Sequence, residues 1–289
     1  MKKQIIDFIL YLKVERHYAL NTQKAYERDL NQLLNFLKTQ DVSSWAALNT
    51  QTLNLFIMQL RHKNISARSI RRYLSSIKGM LTYLVNQDQL KANCATQLRT
   101  PKISQTLPGI LNYEQVLQIL KTKRTSRFES RDVAIIETIY SCGLRVSELA
   151  GLNVVDVDIS QGFLTVLGKG GKTRHTPLGG SAQEAIIKHL ETHHSNALFV
   201  NKNGDRIGVR SIQNMIKKRA LDSGIKINVY PHMLRHAAAT HFLQSSHDLR
   251  STQEFLGHAS IKSTQVYTHL DFLELSQVYD RCHPRAKKS

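Results

Sequence analysis

Cysteine is scarce. Cys94, Cys142 and Cys282 stand far apart in a 289-residue chain, in no C-x-x-C pair. An odd, scattered set supports neither a disulfide framework nor a thiolate metal site, and it fits a reducing, cytoplasmic setting. Long apolar runs are missing too, since no stretch approaches the ~18 consecutive apolar residues of a membrane-spanning helix. The N-terminal MKKQIIDFILYLKVERHY is interrupted by Asp7, Lys13 and Glu15, so it lacks a signal-peptide core and reads as an amphipathic helix. No internal repeat or low-complexity tract is visible. Acidic side chains are few, 22 against 40 Lys plus Arg, for a net charge of +18. The excess is evenly split: 15 basic minus 6 acidic in residues 1–100 gives +9, and 25 minus 16 in residues 101–289 gives +9. Two basic halves suit a protein whose two parts each face a polyanion, with nucleic acid the first candidate. The length leaves room for two domains, each with its own core.

The first hundred residues carry helical periodicity. After Asn21-Thr22, taken as an N-cap, Tyr26, Leu30, Leu33, Leu34 and Leu37 follow the 3 and 4 spacing of one buried face. A second helix starts at Ser66, with Ile70, Tyr73, Leu74, Ile77, Met80, Leu81 and Leu84 as its apolar stripe. Arg68, Arg71, Arg72 and Lys78 lie off that stripe and form a candidate phosphate-contacting face, although an ordinary solvated face has the same pattern. Periodicity stops at ANCATQLRTPKISQTLPGI, which places a linker at residues 98–110. Beyond it the chain is mixed: helical patterns begin near Asn112 and cover 130–141, 145–151, 181–193, 209–222, 232–245 and 251–257. GFLTVLGKGGKTRHTPL alternates on both sides of a glycine-lysine turn and predicts a β-hairpin. Strand and helix do not alternate regularly, so the expected fold is mainly α with a small antiparallel sheet.

Two local motifs raise chemical questions. In PHMLRHAAATHFL, His232 and His236 have the four-residue spacing of zinc ligands on a helix. However, Met233 stands where a metalloprotease has its glutamate, and Arg235 would repel a divalent cation placed beside it. GKGGKT ends like a phosphate-binding loop, but position 166 is Val and the residues after Thr173 read as a strand, so nucleotide binding is excluded. Other polar residues sit at element edges: Arg145 in CGLRVSEL, Lys169 in the hairpin turn, His258 in FLGHAS and Tyr267 in QVYTHLD. Each has a bland alternative, with Arg145 pairing Glu148, His258 capping a helix and Tyr267 filling a core.

In this order GLRVSEL, GKGGK, HMLRH, LGH and the following Tyr resemble the active-site boxes of the tyrosine site-specific recombinases, the phage integrase and Xer group. The resemblance runs over nearly the whole chain to THLDFLELSQVYDRCHPRAK. Met233 and Thr176 depart from the usual pattern, and neither is a catalytic position. The resemblance implies a helical, SAM-like core-binding domain at 1–97, the 98–110 linker, and a mixed catalytic domain at 111–289, closing on duplex DNA as a C-shaped clamp. It implies Tyr267 as nucleophile, Arg145, Arg235 and His258 on the phosphate, His232 as base and Lys169 as acid. Arg68, Arg71, Arg72, Lys78, Lys172 and Arg174 are the expected DNA contacts.

The chemistry accounts for these residue types. Attack by a phenolic oxygen on a phosphodiester builds charge on two non-bridging oxygens, and two guanidiniums meet it as planar forks that stay charged at any working pH. The resemblance implies no metal, cofactor or ATP. It also implies a heterotetramer with the related recombinase XerD on a dif-like site under the septal translocase FtsK, and a C-terminal apolar face that docks in the neighbouring subunit, with Pro284 ending the helix and RAKKS left near DNA or solvent. A type IB topoisomerase, a catalytically silent DNA-binding relative and a zinc hydrolase remain as alternatives. Strand exchange between two sites, loss of a box, and metal analysis respectively separate them.

Overall fold

A computed structural model describes residues 1–99, 101, 109–123, 125–168, 171, 173–192, 195–257 and 269–287, with backbone alone for 269–274. The chain divides into two compact units, Met1–Thr106 and Leu107–Ser289. The first unit has four helices, α1 (Lys2–Val14), α2 (Leu20–Thr39), α3 (Thr50–His62) and α4 (Ala67–Asn86). Its core draws Ile5 and Phe8 from α1, Leu30, Leu33 and Leu37 from α2, Leu53 and Phe56 from α3, and the whole α4 stripe. The helix at Ser66 begins as its sequence predicts, because the Ser66 hydroxyl accepts from the Ser69 amide at 3.3 Å and so satisfies one of the orphan donors. All seven apolar positions of its stripe are buried, each contributing about 1.5–3 kcal/mol relative to exposure. The start of α2 differs from expectation. It begins at Leu20, with Asn21 and Thr22 inside the first turn, and the entry is stitched by the Gln23 side chain donating to the Tyr18 carbonyl at 2.6 Å.

The second unit opens with α5 (Tyr113–Lys121), whose N-terminus is closed by a reciprocal Asn112–Gln115 capping box. Then come α6 (Glu129–Cys142), α7 (Val146–Gly151), strands β1 (Val157–Asp158), β2 (Phe163–Leu167) and β3 (Thr173–Pro177), and α8 (Gly180–Leu190), α9 (Val209–Asp222), α10 (Pro231–Ser246), α11 (Leu249–Phe255) and α12 (His269–Cys282). The sheet is antiparallel in the order β1-β2-β3. The hairpin pairs Val166 with Arg174 and Leu164 with Thr176. Two-residue β1 is too short to announce itself by alternation. α6 is buried along most of its length and packs on α8 and α10, so the Gly143 turn that ends it lies inside the unit. The 98–110 linker falls largely outside the described residues. No helix among them is long and apolar enough to cross a membrane.

Candidate active site

The site is built around the end of α6. Gly143 closes that helix in the left-handed region (φ +58), and a Cβ there would stand 2.8 Å from the Phe255 ring. Only glycine meets both demands without strain. The buried turn thus formed leaves the Gly143 carbonyl free to accept from Arg235 Nη1. Arg235 Nη2 donates to the Leu256 carbonyl at 2.6 Å. Arg235 is 4% exposed, held on α10 between the C-termini of α6 and α11 by main-chain oxygens.

Glu148 is the hub. It lies at the third position of α7, with its side chain 5% exposed. Oε2 accepts from the Arg145 amide at 2.9 Å and from Arg174 Nη2 at 3.0 Å. Oε1 accepts from Arg145 Nη1 at 2.8 Å and Arg174 Nη1 at 3.1 Å. Arg235 Nη1 stands 3.8 Å away. Three guanidiniums from α7's start, β3 and α10 therefore surround one carboxylate. Burial opposes the charge on Glu148, but hydrogen bonds from Arg174 and from the Arg145 amide and side chain outweigh it and hold the carboxyl below its ordinary range. Arg235 goes the other way. Burial and then repulsion from Arg145 and Arg174 lower its pKa to about 10, only partly offset by Glu148. Such a cluster holds more positive than negative charge and suits an oxyanion. His232, one turn before Arg235 on α10, is pushed below its ordinary value by partial burial, Arg235, His236 and Arg145. Its surroundings thus favour the neutral form, which can accept a proton.

Of the six residues expected to carry the reaction, Arg145, His232 and Arg235 are brought together. Lys169, His258 and Tyr267 lie outside the described residues, as does Lys172. Arg174, expected on the DNA backbone, is turned onto Glu148 with its side chain 11% exposed. On α4, Arg68 and Arg71 are exposed. Arg72 differs from a free surface cation: its Nε and Nη2 donate at 2.8 and 2.9 Å to the wholly buried Asp29. Lys78 Nζ reaches the Leu98 carbonyl at 3.2 Å. His241 Nδ1 meets the Tyr140 hydroxyl at 2.7 Å, and no third metal ligand joins His232 and His236 among the described residues.

The C-terminal segment, whose docking in a neighbouring subunit a single chain does not test, makes contacts of its own. From Leu275 onward it packs on its own unit: Leu275, Tyr279 and His283 are buried, Arg285 pairs with buried Glu137, and the Gly180 amide donates to the Ala286 carbonyl at 2.7 Å. The RAKKS tail is thus tied down at Arg285 because a buried carboxylate and the open amides of α8 attract it. Tyr279 of the same helix is fully buried, which raises its phenol well above the ordinary value and leaves it unsuited to attack a phosphate. Glu148 was legible only as a neighbour of Arg145, and its capture of Arg174 was not.

The described part of the site is thus a buried carboxylate ringed by arginines, with His232 on the same helix as Arg235. The phage integrase family model matches residues 110–274, and the phage integrase N-terminal SAM-like domain matches residues 5–88. The chain belongs to the phage integrase family, and it is a tyrosine recombinase, an enzyme that cleaves and rejoins DNA strands. It is 42% identical to tyrosine recombinase XerC of Pseudomonas fluorescens over 294 residues, covering 100% of this chain and 98% of that one. It is 38% identical to tyrosine recombinase XerC of Actinobacillus pleuropneumoniae serotype 7, covering 96% and 92%. The fold is similar to a lambda integrase dimer bound to a COC' core site (TM-score 0.75, 16% identity, 91% of this chain and 97% of that one). It is also similar to XerH bound to a palindromic difH substrate (TM-score 0.69, 23% identity, 92% and 81%).

Proposed function

We propose that this chain is a XerC-like recombinase that resolves chromosome and plasmid dimers at cell division through a 3'-phosphotyrosyl intermediate. The observation that carries the reading is the convergence of Arg145 and Arg235, from two separate sequence boxes, on one buried carboxylate beside neutral His232. The Tyr267 phenolic oxygen attacks the phosphorus while His232 takes its proton. The O–P bond to tyrosine forms as the bond to the 5' oxygen breaks, and Lys169 supplies the proton that oxygen needs. Arg145, Arg235 and His258 hold the two non-bridging oxygens, whose charge grows in the transition state. The phosphotyrosyl bond keeps the ester energy, so a second 5' hydroxyl can reverse the step without ATP.

The domains at 1–97 and 111–289 each contact a dif-like duplex, with Arg68, Arg71 and the outer edge of Arg72 against backbone phosphates. The partner is a related recombinase of the XerD kind, under the septal translocase FtsK, in the cytoplasm. The relatives' identity over the whole chain supports this assignment, and the basic charge of both halves supports the DNA clamp. The test is a nicked duplex carrying a candidate site, incubated in EDTA. Wild type is expected to form a covalent protein–DNA complex, and Tyr267→Phe to bind equally and form none. Covalent complex from the Phe variant at wild-type yield moves the nucleophile elsewhere, and loss of cleavage in EDTA restored by zinc revives the metal reading of His232 and His236.

A further inference from the structure

We propose that Arg174 is a positioning residue for strand cleavage, acting on the scissile phosphate through Glu148 and Arg145. The inference rests on the recombinase reading above. Arg174 gives Glu148 two of its four hydrogen bonds, in the bidentate fork that fixes a carboxylate's plane as well as its place. Arg145 gives the other two, one through its amide and one through Nη1. The exposures divide the roles. The Arg145 side chain is 41% exposed and free to offer its remaining donors to a ligand, whereas that of Arg174 is 11% exposed and faces inward.

The wall behind Arg174 is equally closed. Gly257 turns there at φ +60, and a Cβ would stand 2.5 Å from Arg174 Nε and 2.8 Å from its Cδ and Cζ. Across the hairpin its partner is Val166, whose side chain is buried. Arg174 thus stands on the strand that follows the hairpin turn, packs on the glycine that precedes His258 in the chain, and grips the carboxylate that orients Arg145. Without it Glu148 keeps its charge in a buried place, and the nearest remaining cations are Arg145 and Arg235. Glu148 would draw both toward itself and away from a phosphate. A shift of about 1 Å in a positioned group costs on the order of 10²-fold in rate, so loss of Arg174 should slow cleavage without loosening DNA.

The experiment measures half-site affinity by gel shift and single-turnover cleavage of a nicked site for wild type, Arg174→Ala, Arg174→Lys, Glu148→Gln and the Glu148→Gln/Arg174→Ala pair. The expected result is a loss of about 10-fold to 100-fold in cleavage for Arg174→Ala, with affinity within about threefold and partial recovery in Arg174→Lys. The double variant should cleave no more slowly than the slower single, because both act on one element. Arg174→Lys, which keeps the charge, carries the test if the Ala variant does not fold: slowed cleavage with intact binding supports the proposal, and wild-type cleavage overturns it. Parallel losses of affinity and cleavage make Arg174 a DNA contact and overturn it, as do additive losses in the double variant. Absence of covalent complex from wild type defeats the recombinase reading itself.

Discussion

Each unit of this chain buries a carboxylate on a helix and meets it with arginine, but the stoichiometry differs. In the first unit Asp29 on α2 takes one guanidinium, Arg72 of α4, in a bidentate pair. In the second, Glu148 lies among Arg145, Arg174 and Arg235. The arginines respond in opposite directions. The hydrogen bond to Asp29 raises the pKa of Arg72 against a smaller opposing effect of burial, whereas burial and neighbouring cations pull Arg235 down to about 10. In the second unit Arg285 with Glu137, and Arg219 with the partly exposed Glu129, are again one to one. A matched pair ties two helices together and is complete by itself. A cluster with cations to spare is unfavourable until a further anion arrives, which is how a phosphate-transfer site whose one carboxylate does not balance its arginines should look.

The largest expected effect tests the unmatched cluster. Arg235→Ala removes one buried donor from the proposed oxyanion site and should lower cleavage by about 10²-fold to 10³-fold while half-site binding changes little. Equal losses in gel shift and cleavage would make Arg235 a plain backbone anchor. Next comes the matched pair. Arg72→Ala leaves Asp29 buried and uncompensated and should destabilise the first unit by about 2 kcal/mol in denaturant unfolding, less than the roughly 3–5 kcal/mol of a fully buried pair because Arg72 is partly solvated. Its cleavage per bound complex should stay near wild type. An unchanged unfolding midpoint would break the comparison from that side. The smallest effect concerns pH. As the proposed base His232 would act only when neutral, and its pKa lies below the ordinary 6.5, so cleavage is expected to be retained through neutral pH and lost as pH falls. Single-turnover rates under kcat/KM conditions should drop about tenfold per pH unit below a midpoint under 6.5. A midpoint above 7 would mean that the histidine is stabilised as a cation, contrary to its surroundings.

Much of the fold was legible because its signals are local. The α4 stripe, the Ser66 cap, the Gly143 break and the hairpin each depend on residues within a few positions of one another. The site was legible as five ordered boxes, which say what the residues are for and not what holds them. Arg174 shows the limit, and also a signal that was present. Alternation in FLTVL puts Leu164 and Val166 inward, and their register partners are Thr176 and Arg174. The same period of two that predicted the hairpin therefore places Arg174 on the buried face. Asp29 in α2 and the tail at Arg285 had no such marker. Their partners, Arg72 and Glu137, lie 43 and 148 positions away, and only the folded chain brings them together.

The most direct measurement of the central claim, that the excess cations around Glu148 exist to meet the scissile phosphate, replaces that phosphate by an uncharged methylphosphonate. Wild type and Arg235→Ala are compared in single-turnover cleavage of the nicked site with each linkage. The expected result is that the deficit of about 10²-fold to 10³-fold seen on phosphate shrinks to within about tenfold on methylphosphonate, where one non-bridging charge is gone. A deficit of the same size on both linkages would contradict the claim and leave Arg235 as a structural tie between α6, α10 and α11.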